Sequence, residues 1–282
     1  MQVCCENDFE GEFGVVCPET IEPFVVSGCE IFQDTLLYRW VRDEDFFIDK
    51  LWSDAFADLR RRWFVGLNQD HSKERVYAYI KNSLWTVYYN SEENRAIGVG
   101  PKKYYLDTLL GALGLAYLRA TTYSFSLLLH AAAILIDGQC IIFCGESGSG
   151  KTTLALNAKR EGFPVLSDDK VIVRCDGGDR LVAYGTPFGK ICDVPVSHPV
   201  VGIGFLGKSE TNTAEGLSRK EAFLKLWEEE FYHRYRFLRR GFARSLFEQI
   251  YNLTHSLPCF VLKFRKDFHD WELVCRAVYG SK

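Results

Sequence analysis

The chain reads as an α/β fold preceded by a β-rich α+β subdomain, and three observations carry that reading. "QCIIFCGESGSGKTTLALNAKREG" sets a glycine-rich loop between an apolar run and a helical one. "FPVLSDD" then returns as a short strand ended by two aspartates. The part before these is rich in Val, Tyr, Trp and Phe in short runs, the signature of strands rather than helices.

The bulk properties narrow the function classes. The 282 residues are enough to bury a core as one large domain or two smaller ones. Hydrophobic residues make up 47% and charged residues 25%, an ordinary globular mixture. A formal net charge of −3 argues against a nucleic-acid binder. The ten cysteines include an adjacent pair, Cys4 and Cys5, but no C-x-x-C, so reduced thiols are expected rather than a disulfide or zinc scaffold. The start, "MQVCCENDFEGEFG", is acidic and lacks a basic stretch followed by an apolar one. The longest apolar run, "LLLHAAAILI", is too short to span a bilayer. A cytoplasmic protein without a membrane partner is therefore expected.

Two domains are expected, 1–126 and 127–282. In the first, "FVVSGCEIF", "RRWFVGL", "RVYAYIK" and "LWTVYYN" read as strands, and "NSEENRA" as a loop tip. "YYLDTLLGALGLAYLRATT" reads as a helix, with Leu106, Leu109, Leu110, Leu113 and Tyr117 at helical spacing. This domain is a cap or substrate subdomain, whose aromatics suit either a peptide groove or a core. In the second, "LLLHAAAILID" and "QCIIFCG" read as two strands joined at Asp137-Gly138, a hairpin signal. "TTLALNAKREG" is a helix closed by Gly162. "KVIVRCDGGDRLVAYG" reads as two strands around a turn, and the long stretch from Ser218 to Leu257 as mostly helical. "PCFVLKF" is a strand and "DWELVCRAVYG" a closing helix.

Gly145-Glu146-Ser147-Gly148-Ser149-Gly150-Lys151-Thr152 fits G-x-x-x-x-G-K-[ST] in full, and Thr153 adds a second hydroxyl. Glycines let a backbone wrap phosphates with its N–H groups inward, and the helix N-terminus behind them favours anions. Lys151 is expected to reach the β- and γ-phosphates, and the Thr152 hydroxyl to ligate magnesium. ATP or another NTP with Mg2+ is the cofactor set this implies. Asp168 and Asp169 close the next strand, where ligands of open α/β sheets sit. One carboxylate can take the metal, leaving the other as a general base. His130 stands alone in an apolar run; it reads as a satisfied core residue or as the partner of an aspartate, expected to be Asp168.

The stretch "LHAAAILIDGQCIIFCGESGSGKTTLALNAKREGFPVLSDD" resembles the HPr kinase/phosphorylase family. The shared order is a histidine strand, an Asp-Gly turn, a G-[DE]-S-G-x-G-K-[ST] loop, a helix, and a strand ending in Asp-Asp. The resemblance implies a P-loop kinase domain with a phosphoenolpyruvate-carboxykinase-type nucleotide core, behind an N-terminal β-rich α+β subdomain. It implies phosphoryl transfer to a serine-type hydroxyl of a peptide or protein. It further implies Asp168 as the base, His130 as its partner, Lys151 with the loop residues 145–153 as the phosphate clamp, and Thr152 with Asp169 as magnesium ligands. The family's E-V-R-G-[LIV]-G segment is absent, and "AYGTPFGKICDVPVSHP" stands in its place. That argues against HPr itself as the substrate and toward peptide-tailoring kinases of the lasso-peptide-kinase type. The rival readings are a small-molecule hydroxyl kinase and a nucleotide-binding regulator without transfer activity; the second aspartate favours transfer.

Two further charged features remain. "HRYRFLRRGFAR" carries Arg234, Arg236, Arg239, Arg240 and Arg244. It reads as a solvated helix face balanced by Glu228, Glu229 and Glu230, or as the source of an arginine for phosphate. Lys190, in "TPFGK", is a second candidate for phosphate contact.

Overall fold

Alternating and continuous apolar runs separated by turn residues give this chain two sheets. The computed structural model describes residues 2–6, 35–41, 63–67, 76–81, 86–90, 95–123, 126–176, 180–194, 197–230 and 240–280. Two compact units divide it, Met1–Ala120 and Thr121–Lys282. The division falls in the last turns of a helix rather than at the 126/127 boundary read from the sequence.

In the first unit, β1 (Gln2–Glu6), β2 (Thr35–Val41), β3 (Trp63–Leu67), β4 (Val76–Lys81), β5 (Thr86–Asn90) and β6 (Arg95–Val99) form one sheet in the order β1-β2-β6-β5-β4-β3. β3 to β6 are an antiparallel meander, the pairing that short connections allow. β2 joins β6 in parallel and β1 joins β2 in parallel, so the sheet is mixed. α1 (Tyr105–Tyr123) follows, and its buried face is Leu109, Ala112, Leu113 and Ala116, at i, i+3, i+4 and i+7. The expected leucine stripe is thus rotated toward alanines, and Leu110 and Tyr117 lie only half-buried. The run 24–32 expected as a strand and the loop tip 91–94 fall outside the described residues.

The second unit holds the larger sheet. "LLLHAAAILID" is not one strand: it breaks at His130 into β7 (Ser126–Leu129) and β8 (Ala131–Ile136). β8 turns at Asp137 and Gly138, both with positive φ (51° and 75°), into β9 (Gln139–Cys144). Paired positive φ values are the hairpin geometry whose twist matches its strands. Next come α2 (Lys151–Arg160), β10 (Val165–Ser167), β11 (Val171–Cys175) and β12 (Leu181–Tyr184). β13 (His198–Lys208) and β14 (Thr213–Gly216) are strands the sequence reading missed. α3 (Arg219–Glu230), α4 (Arg240–Ser256), β15 (Cys259–Phe264) and α5 (Trp271–Tyr279) complete the chain.

The strand order is β10-β8-β9-β13-β12-β11-β7, with β15 pairing β13 and β14. β13 holds the sheet together: it runs parallel to β9 and β15 along most of its length, and antiparallel to β12 through His198 and Pro199. Its run "VVGIGFLG" has three glycines and no clean alternation, because a central strand is covered on both faces. Ile134, Ile141, Phe143, Phe260 and Leu262 pack with Leu154, Ala155 and Ala158 of α2 and with Trp271 and Val274 of α5. Asp270 caps α5 by accepting the Leu273 N–H at 3.3 Å. Phe143 is fully buried and meets the Phe260 ring edge-to-face at 6.3 Å. Phe143→Ala is expected to cost about 3–5 kcal/mol, read as a drop in the urea midpoint of the second unit's transition.

Candidate active site

Strand direction brings three chain ends to one edge of the second sheet. β9 and β10 each run antiparallel to β8, which lies between them, so they point the same way. Their carboxyl ends and the amino end of β8 therefore share an edge. β9 delivers the glycine loop there, β10 the two aspartates, and β8 His130.

The loop leaves β9 at Cys144 and enters α2 through Gly150, whose φ of 107° is left-handed. A side chain at Gly150 would also meet the Phe264 ring, its Cβ 2.8 Å from the ring tip. Only glycine satisfies both demands. Lys151 is buried, at 6% exposure, and its Nζ donates to the carbonyls of Gly145 at 2.5 Å and Glu146 at 3.1 Å. Burial pushes its ammonium below the usual lysine value, and the charges of Glu229, Cys144, Asp169 and Glu230 oppose that shift.

Asp168 and Asp169 follow β10 in a bend of the chain, and their carboxylates meet different partners. Asp168 is 3% exposed, and its Oδ1 accepts the backbone N–H groups of Lys190 at 2.7 Å and Ile191 at 3.0 Å. The "TPFGK" turn closes tightly around it: a Cβ at Gly189 would stand 2.3 Å from Asp168 Oδ1. Asp169 faces the other way. Its Oδ1 lies 3.3 Å from His130 Nε2 and its Oδ2 accepts from Lys170 Nζ at 2.7 Å. Lys170 also sits 4.8 Å from the centre of the Phe188 ring.

His130 is thus paired with Asp169, which corrects the expectation that it orients Asp168. The register explains the difference. Ser167 stands opposite Ala133 in the antiparallel β8–β10 pair, so the chain two residues past Ser167 comes level with the start of β8, beside His130. Asp168, on the opposite side, is oriented by the amides of Lys190 and Ile191.

A cavity of about 390 Å³ brings these groups together. Of the expected site residues, His130, Ser147, Gly148, Gly150, Lys151, Thr152, Thr153, Asp168 and Asp169 line it; Gly145, Glu146 and Ser149 do not. Lys190 also lines it, with Phe188 and Gly189. Arg234, Arg236 and Arg239 lie outside the described residues, as does the side chain of Arg240. Arg244 is exposed and donates to Glu248 at 3.0 Å.

The glutamates expected on a solvated face are the largest departure. Glu230 is 1% exposed, and its Oε1 accepts the His130 backbone N–H at 3.1 Å. Glu229 is half-buried; burial pushes its carboxyl up to about 7, against the pull of Lys151 and of the Gly145 N–H. One signal was present in the sequence. Ala222, Leu226 and Glu230 recur every four residues, and all three are buried on α3.

The arrangement sets a lysine and a helix N-terminus where an anion would be held. Beside them, Thr152, Asp168 and Asp169 form an all-oxygen donor set that suits a hard cation such as magnesium, which keeps waters and phosphate oxygens as further ligands. Among the described residues no group of three His, Cys, Asp or Glu forms a metal cage of its own, and no helix is long and apolar enough to cross a membrane.

A family model described as SynChlorMet cassette protein ScmC matches residues 109–278, more than half of the chain. Among solved structures, the Hpr(Ser) kinase/phosphatase from Coxiella burnetii matches 54% of this chain and 93% of its own, at 16% sequence identity and a TM-score of 0.30. No curated protein sequence matches the chain.

Proposed function

The chain belongs to the ScmC family of SynChlorMet cassette proteins, and we propose that it is an ATP- and magnesium-dependent phosphotransferase acting on a hydroxyl of a peptide or protein. One observation carries the proposal: Ser147, Gly148, Gly150, Lys151 and Thr152 of the G-x-x-x-x-G-K-T loop share one cavity with Asp168, Asp169 and His130. A loop that served only as a nucleotide switch needs a single metal carboxylate, whereas transfer needs a second group to accept the hydroxyl proton.

Lys151 and the amides at the start of α2 bind the β- and γ-phosphates. Thr152 and Asp169 hold the magnesium ion, which supplies charge neutralisation on the phosphates when bound. Asp168 takes the proton from the acceptor hydroxyl. Its Oδ1 is held by two backbone amides, so its Oδ2 is the oxygen left for the acceptor. In phosphoryl transfer, positioning counts for more than base strength. His130 orients Asp169, the carboxylate that would hold the ion together with Thr152. Lys190, on the cavity wall, is available to a phosphate or to an acceptor carboxylate.

The test is incubation of the full chain with γ-labelled ATP, magnesium and a panel of hydroxyl-bearing peptides, read by mass spectrometry. Phosphate on a peptide hydroxyl supports the proposal. ATP binding with no transfer to any peptide, under conditions where magnesium and pH are varied, counts against it.

Gly189→Ala probes the clamp on Asp168. The added methyl group has no room beside Oδ1, so the carboxylate must swing away from the Lys190 and Ile191 amides. Turnover is expected to fall by roughly a hundredfold, with nucleotide affinity changed far less, since an ångström of misplacement costs about that much. An unchanged turnover number would remove the clamp from the mechanism.

A further inference from the structure

Both aspartates of the site are tied to one turn, residues 186–191. Asp168 accepts the Lys190 and Ile191 amides. Asp169 is reached from the same turn through Lys170. The Lys170 backbone carbonyl accepts the hydroxyl of Thr186 at 2.7 Å, and Thr186 is buried, so the root of the Lys170 side chain is fixed. Its Nζ then lies between two partners. It donates to Asp169 Oδ2 at 2.7 Å and stands 4.8 Å from the centre of the Phe188 ring. Phe188 and Asp169 both line the cavity. A surface lysine usually carries its charge out into water. This one is held between a carboxylate and an aromatic face.

The other oxygen of Asp169 is engaged too: Oδ1 lies 3.3 Å from His130 Nε2. A divalent cation that takes Asp169 as a ligand therefore meets a carboxylate whose two oxygens already face nitrogen atoms. Lys170 has to leave Oδ2 or stay as a like charge beside the ion, and in either case it opposes the ion.

From this geometry we infer that Lys170 is a positioning residue that competes with the divalent cation for Asp169 and so lowers the site's affinity for metal. The inference rests on the reading of Asp169 as a magnesium ligand proposed above. It adds to that reading a determinant outside the glycine motif and the aspartate pair. Phe188 gives the displaced Nζ a place to stay, because a cation over a ring needs no carboxylate. The phosphates of a nucleotide bring their own oxygens to the ion, so a metal–nucleotide complex overcomes the competition better than a bare ion does. Metal and nucleotide then enter together rather than metal first.

The probe is Mn2+, which takes the same oxygen donors as magnesium and is counted free in solution by its electron-spin resonance. The full chain is titrated with Mn2+ alone and with ADP present, for wild type, Lys170→Met and Lys170→Arg, with the Mn2+ held by ADP in free solution subtracted. Lys170→Met keeps an apolar stem and removes the charge. With ADP it is expected to bind Mn2+ on the order of three- to tenfold more tightly than wild type, the span for one nearby charge in partly screened surroundings. Without ADP the gain should be larger. Lys170→Arg keeps the charge and should stay near wild type. An affinity in Lys170→Met equal to wild type or weaker overturns the inference. The weaker result is what a lysine that only holds Asp169 in place for the metal would give. A merely structural side chain would move the thermal midpoint without tightening metal binding. Lys170→Gln serves if the methionine variant does not fold. No Mn2+ binding by any of these proteins, with or without ADP, removes the magnesium reading and the inference with it. Binding by wild type that is independent of the residue at position 170 removes the inference alone.

Discussion

Asp168→Asn is expected to leave nucleotide affinity within about twofold of wild type and to lower phosphoryl transfer by roughly 10²–10⁴-fold, the range for losing a positioned general base. The substitution is unusually clean at this position. The asparagine carbonyl can keep both hydrogen bonds from the Lys190 and Ile191 amides, so the turn need not move. What changes is the second oxygen, which becomes an N–H₂ group that cannot accept a proton. The companion variant, Asp169→Asn, should behave differently. It removes the charge beside His130 and Lys170 and is expected to raise the magnesium concentration needed for half-maximal rate. Single-turnover rates for both variants across a magnesium titration separate the two roles. Full transfer activity in Asp168→Asn would end its assignment as the base.

Lys151→Ala should abolish nucleotide binding at practical concentrations, or lower turnover by about 10²–10³-fold where binding persists. Removing the side chain also takes the donor away from the Gly145 and Glu146 carbonyls and removes a charge that holds the Glu229 carboxyl down. Stability measurements must therefore accompany the binding assay. Burying a carboxyl at Glu229 costs more when it is charged: its folded value is raised to about 7, so the stability it permits is present on the acid side and lost as pH rises through that value. Lys151→Ala should steepen that loss, lowering the thermal midpoint by several degrees more at alkaline than at acid pH. Unchanged ATP turnover in this variant would refute the loop assignment.

The elements built from local pattern were legible. The loop, the helix behind it, the Asp-Gly turn and the aspartate-ended strand all appear where the sequence places them, because each depends on residues within a few positions of one another. Long-range features were not. β13 carries the centre of the second sheet, yet "VVGIGFLG" has neither alternation nor a helical period to betray it. The run from Leu127 reads as one strand because its residues are uniformly apolar; only pairing with β11 on one side and with β9 and β10 on the other breaks it at His130. The glutamates of α3 looked solvated because the helix around them is highly charged.

The sequence by itself determined the groups available at the site: a lysine and backbone amides that suit an anion, oxygen donors that suit a hard cation, and paired carboxylates. Those follow from residue types at short spacing, which any fold that keeps the strand–loop–helix unit must preserve. Only the tertiary structure decided which aspartate meets His130, what fixes the other, and which charges face Lys151. The two aspartates are neighbours in the bend after β10, yet one meets the Lys190 and Ile191 amides and the other His130. Register here is set by β8 lying between β9 and β10, and the environment of Lys151 by a helix some eighty residues downstream, a distance that spacing in the sequence does not encode.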